Sequence, residues 1–113
     1  MSSNEKIQTL KRKYLFVFPE LPICSFVERE AVAHLFTEQW HSNYFLTARI
    51  DFVVCDKAGI PEFALEYQGG YHKNKAQREK DDFKRTMMNC AGLHVRWVDY
   101  KTLKEIESGK EDV

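Results

Sequence analysis

Residues 50–55, Ile50-Asp51-Phe52-Val53-Val54-Cys55, constrain the fold of this chain more than any other segment. In a strand of period two, Ile50, Phe52 and Val54 share one side while Val53 and Cys55 share the other. A strand apolar on both sides must be covered on both, so it belongs inside a sheet with helices on each face. The surrounding sequence supplies the other layers. An aromatic and β-branched run at 14–18, closed by Pro19, reads as a first strand. The central strand is predicted over 45–55. Turn residues Asp56-Lys57-Ala58-Gly59 follow it, and a third strand over 63–68 completes an antiparallel hairpin. A last strand is predicted over 94–98.

The helices follow from apolar spacing and end signals. Ser25 and Glu28 read as a capping box for a helix over 26–40, with Val27, Ala31, Leu35 and Val32, Phe36, Trp40 at helical intervals. A polar helix over 74–89 has Gly92 as its stop, and a short helix is expected over 101–107. The expected architecture is therefore an α/β three-layer sandwich, a four-stranded mixed sheet flanked by helices. At 113 residues it is expected to be one domain, with 1–12 and 108–113 as flexible termini.

Composition narrows the function classes. No uncharged apolar run reaches the ~18–20 residues of a membrane helix, and no apolar segment follows the polar N-terminus as in a secretory signal. Neither a membrane partner nor export is expected. Three cysteines without CxxC spacing argue against a disulfide framework or a cysteine-rich zinc site, and place the chain in a reducing cytoplasm. Seventeen basic residues balance seventeen acidic ones, so any nucleic-acid site has to be a local patch. One such patch lies between His72 and Arg85, where Lys73, Lys75, Arg78, Lys80, Lys84 and Arg85 outnumber Glu79, Asp81 and Asp82. The same residues read equally well as a helix face laced with ion pairs.

Two acids sit where acids are rare. Asp51 lies between Ile50 and Phe52, and Glu66 between Leu65 and Tyr67. In a hairpin they would occupy adjacent strands, with Gln68 in phase with Glu66. Close carboxylates repel, and a divalent cation is the simplest means of keeping both ionised. An oxygen-lined pair suits Mg²⁺, which keeps several waters and takes one or two protein carboxylates. The plain alternative is that each acid pairs with a nearby cation.

The stretch from Arg49 to His72, R-I-D-F-V-V-C-D…P-E-F-A-L-E-Y-Q-G-G-Y-H, resembles the PD-(D/E)xK phosphodiesterase signature. The likeness continues through Arg78-Glu79-Lys80-Asp81-Asp82-Phe83-Lys84 and Gly92-Leu93-His94-Val95-Arg96. Within that superfamily it is similar to small bacterial domains of unknown function related to very-short-patch-repair endonucleases. The resemblance implies a restriction-endonuclease-like fold and a Mg²⁺- or Mn²⁺-dependent endonuclease acting on DNA or another nucleic acid. It implies metal-binding roles for Asp51 and Glu66. Gln68 falls where most members carry the lysine that positions the attacking water. Glutamine can orient water but supplies no charge, and Lys73 or Lys84 would replace it. The resemblance further implies a metal-site acid from an early helix, for which Glu30, Glu28 and Glu5 are the choices. It gives His72 a contact to phosphate or metal-bound water, with Arg78 as a supporting cation. The alternative functions are an inactive nucleic-acid-binding module on the same fold, or a domain mediating protein contacts. A chain this small leaves specificity to a homodimer or a larger partner.

Overall fold

The computed structural model describes residues 3–11, 14, 16–67 and 74–108. The elements run α1 (Ser3–Lys11), β1 (Phe16–Pro22), α2 (Arg29–Val32), α3 (Gln39–Thr47), β2 (Arg49–Cys55), β3 (Pro61–Tyr67), α4 (Lys75–Cys90), β4 (His94–Val98) and α5 (Tyr100–Ser108). The four strands form one mixed sheet in the order β1-β2-β3-β4. The first two pairings are antiparallel and β3 runs parallel to β4, with α4 as the crossover. This is the expected α/β architecture, a four-stranded mixed sheet flanked by helices. No helix among the described residues is long and apolar enough to cross a membrane.

Each face of the sheet carries its own core. On one, Val53, Cys55, Ala64 and Val95 pack with Val32, Phe45, Met87, Met88 and Leu93 from the α2–α4 side. On the other, Phe52, Val54, Leu65 and Val98 pack with Ile7 and Leu10 of α1 and Leu103 of α5. Ile50 departs from the expected alternation: it joins Val53 and Cys55 rather than Phe52 and Val54. The reason lies at Asp51 and its neighbour on β1. The β1–β2 register runs through Pro19↔Phe52 and Leu21↔Ile50 but omits Glu20 and Asp51. Glu20 has φ +52°, a left-handed conformation uncommon outside glycine, so the paired strands bend together and the side chains change phase.

Three strand boundaries also differ from the sequence reading. β1 begins at Phe16 and continues through Pro19 and Pro22, which an edge strand tolerates because its outer N–H groups need no partner. β2 begins at Arg49, not at 45, because Phe45 belongs to α3. β3 spans Pro61–Tyr67, so the expected end at Gln68 lies outside the described residues.

The helix expected over 26–40 is not continuous. A 3₁₀ turn at Ile23–Ser25, the short α2, a second 3₁₀ turn at Ala33–Leu35 and then α3 take its place. Ser25 does not cap a helix; its hydroxyl donates to the Pro22 carbonyl (2.6 Å). The Ile23 N–H donates to the Ala48 carbonyl (3.0 Å), which ties the first turn to the entrance of β2. Before α3, His41 Nδ1 accepts from the N–H groups of Thr37 (3.0 Å) and Glu38 (3.1 Å). These side-chain and tertiary bonds compete with the helical ladder and restart the helix at Gln39.

The ends of α4 are set locally. Asn74 Oδ1 accepts from Gln77 N–H (2.8 Å). At the other end Leu93 N–H donates to Met88 O (2.8 Å) and Gly92 N–H to Asn89 O (2.9 Å), a Schellman motif with Gly92 at φ +84°. A Cβ at Gly92 would meet nothing within 4 Å, so only backbone strain opposes a side chain. Gly92→Ala is expected to cost about 1–2 kcal/mol in urea unfolding with the m-value unchanged. A cost near zero would remove the left-handed stop from the account of this helix end.

Candidate functional site

After a register shift between Val54 and Cys55, β2 and β3 stay paired as far as Phe52↔Leu65, and the next position on each strand is an acid, Asp51 and Glu66. There the ladder gives way to side chains. Tyr67 N–H donates to Asp51 Oδ2 (2.7 Å), and Asp51 N–H lies 3.4 Å from Glu66 Oε2, a long contact. Each carboxylate thus faces the backbone of the opposite strand.

Alternation from Ala64 turns Glu66 toward the α4 side of the sheet. Lys84 of α4 meets it: Nζ donates to Glu66 Oε1 (2.7 Å) and to the Arg49 carbonyl (2.8 Å). Glu66 is only 2% exposed. Burial first, and then the Asp51 carboxyl, push its pKa up to about 8, against the pull of the Lys84 ammonium. Glu66 therefore keeps its proton near neutral pH beside Asp51; ionising both carboxyls brings like charges together in a poorly solvated place, and a divalent cation would relieve that repulsion.

Around the acids stand groups the sequence did not single out for this place. Tyr44 of α3 is raised above the usual phenol range by burial and then by the negative charges of Asp81 and Glu66. Asp81 of α4 is 9% exposed and accepts from Gln77 Nε2 (3.1 Å). Trp40 and Tyr44 pack on Phe83 and edge-to-face on each other, with ring centroids 5.6 Å apart. The Phe83 ring lies 5.3 Å from Trp40 and stacks on His41 at 3.9 Å with a 9° interplanar angle. On the α1 side, Asp51 lines a cleft of about 200 Å³ together with Lys6, Pro19, Glu20, Phe52 and Tyr67.

The other sequence candidates are placed as follows. Glu28 and Glu30 are exposed and line a groove with Cys24, Phe45 and Leu46, which contains neither Asp51 nor Glu66. Glu5 is exposed on α1. Among the described residues, no group of three or more His, Cys, Asp or Glu stands close enough to hold a metal ion, so no early-helix acid joins the pair. Gln68, His72 and Lys73 lie outside the described residues. Arg78, with Lys75, Lys80 and Arg85, is exposed on α4, and the Arg85 guanidinium lies 5.7 Å from the Trp97 ring centroid. Of the two lysines expected to replace the charge missing at Gln68, Lys84 is the one seen against the acids.

No curated protein and no solved structure matches this chain. A family model does match, over residues 7–113, and the chain accordingly belongs to the family described as "Protein of unknown function (DUF2726)".

Proposed function

We propose that this protein is a Mg²⁺- or Mn²⁺-dependent endonuclease that hydrolyses phosphodiester bonds in DNA, a member of the PD-(D/E)xK superfamily with a restriction-endonuclease-like fold. The observation that carries the reading is the junction of Asp51, Glu66 and Lys84: two acids at the adjoining positions where β2 and β3 part, each facing the other strand's backbone, one of them bonded by a lysine from the crossover helix.

The residues fit a hard divalent cation. They present oxygen ligands only, and Mg²⁺ requires no more than one or two carboxylates because it keeps its waters. When bound, the ion would lower the pKa of a coordinated water and offset charge on the phosphoryl oxygens. The chain's own groups do the rest. Asp51 and Glu66 would hold the cation; the Tyr67 N–H fixes the Asp51 carboxylate, and Lys84 fixes Glu66. Lys84 also brings positive charge to a place that must accept a phosphodiester beside two acids. The exposed cations of α4 supply positioning contacts to neighbouring phosphates without reading sequence.

Thermal unfolding with and without metal tests the proposal. Mg²⁺ or Mn²⁺ is expected to raise Tm of the wild type, by the equivalent of about 2.7 kcal/mol at a hundred times Kd, and to leave Asp51→Ala unmoved. The same metals should support cleavage of plasmid or oligonucleotide DNA by the wild type alone. DNA binding with no metal response in either assay would favour the inactive nucleic-acid-binding module.

A further inference from the structure

We infer that the cleft on the α1 side of Asp51 is a binding subsite for one sugar-phosphate unit, with the Lys6 ammonium as its phosphate ligand and Tyr67 as part of its apolar wall. The inference rests on the proposed action on nucleic acid, and it names the part of the substrate that this second side of the site takes.

Asp51 stands where the sheet changes phase, so it is reached from both faces. Lys84 approaches the acid pair from α4, whereas Lys6 approaches the cleft from α1. Lys6 makes no ion pair with a described residue; its ammonium rests 3.6 Å from the Tyr67 ring centroid. A partly exposed cation–π contact is worth only about 0.5–1 kcal/mol, so it holds the ammonium ready without competing strongly with a phosphate oxygen. The remaining wall is Pro19 and Phe52, which offer apolar surface to a sugar.

The opening itself is built into the fold. Glu20, at φ +52°, turns β1 aside opposite Asp51, and Arg49 Nη1 holds the Glu20 carbonyl (3.0 Å) in that course. The resulting volume, about 200 Å³, is below the range of about 300–1,000 Å³ typical of pockets for drug-sized ligands. A phosphate with its sugar matches that size; a base pair does not. Asp51 lines the same cleft as a carboxylate, so a phosphate is admitted once a divalent cation offsets it; of the lining charges left, Lys6 favours the phosphate and Glu20 opposes it. Lys6 and Glu20 therefore make opposite contributions to one ligand, which a merely structural role for either would not produce.

The test is a ¹H–¹⁵N NMR titration of the Mg²⁺-saturated protein with thymidine 5′-phosphate. In the wild type, amide shifts are expected at Lys6, Phe52 and Tyr67. Lys6→Met should raise Kd about tenfold, the loss of one charge-assisted hydrogen bond, while Lys6→Arg retains binding. Glu20→Gln should lower Kd about two- to threefold by removing a like charge. Shifts confined to α4, no binding at all, or an affinity indifferent to Lys6→Met would overturn the subsite. If that happened while the wild type cleaved DNA with Mg²⁺, the proposed function would stand without it. If the nucleotide bound in the cleft but no DNA were cleaved, the subsite would stand and the enzymatic reading would fall.

Discussion

Lys84→Met is expected to abolish Mg²⁺-dependent cleavage of DNA and to destabilise the metal-free protein in a pH-dependent way. The activity loss should reach at least about 10²-fold, as when a preorganised electrostatic donor is removed from a reaction centre. Lys84 lowers the Glu66 pKa, and its removal lets burial and Asp51 raise it further above about 8. For an acid whose folded pKa is raised, the folded state holds a proton that the unfolded chain has released. Stability therefore falls as pH rises from the ordinary value of 4.5 toward the folded pKa, and levels off above it. In the wild type the decline should end near pH 8; in Lys84→Met it should continue, adding up to about 1.4 kcal/mol per pH unit. At pH 6 both proteins hold the proton. There the variant should differ mainly by its lost bond to the Arg49 carbonyl, about 1 kcal/mol.

The same variant separates two origins of the positive charge. Gln68→Lys introduced into Lys84→Met should restore cleavage, since it places a lysine where the resembled enzymes carry theirs. Gln68→Ala alone should reduce cleavage and leave the metal-induced Tm shift intact. Urea unfolding from pH 5 to 9.5 and a plasmid-nicking assay read all of these together. A Lys84→Met protein that cleaves DNA like the wild type would remove Lys84 from the catalytic account.

Glu66→Gln is expected to have the other large effect, with opposite signs for stability and function. Glutamine is close in size to glutamate and keeps hydrogen-bonding capacity, but carries no charge into a site that is 2% exposed. The metal-free variant should lose the decline in stability between about pH 4.5 and 8. At pH 8.5 it should then exceed the wild type by a few kcal/mol. With saturating Mg²⁺ the order should reverse, because only the wild type gains from the ion. Cleavage should vanish. A variant that kept the wild-type pH profile would show that Glu66 is not the group responsible for it.

Much of this arrangement is written in local sequence. The period-two alternation around Asp51 and Glu66 put two acids inside apolar strands, and a hairpin between them made their meeting a matter of strand geometry. Asn74 and Gly92 bound α4 through contacts a few residues long, which is why its expected limits, 74–89, differ by one residue at each end from Lys75–Cys90. The two-sided apolar character of β2 required helices on both faces, because an uncovered face would have left Phe52 and Val54, or Val53, in water.

Other features were decided only when distant segments met. The break of the 26–40 segment depends on Ile23 bonding to Ala48 and on His41 taking two backbone N–H groups, choices that apolar spacing does not express. The phase change at Asp51 follows from a left-handed residue that is glutamate rather than glycine, so no residue type announces it. Lys84 reaches Glu66 across 18 residues of chain because the crossover lays α4 over that end of β3. The raised affinity of Glu66 for its proton comes from the same packing: burial strengthens the repulsion between the two acids and leaves one lysine to oppose it. Sequence determined which groups were present and which face each strand offered. Tertiary structure determined which charges share a low-dielectric space, because that depends on distances between elements that no local pattern encodes.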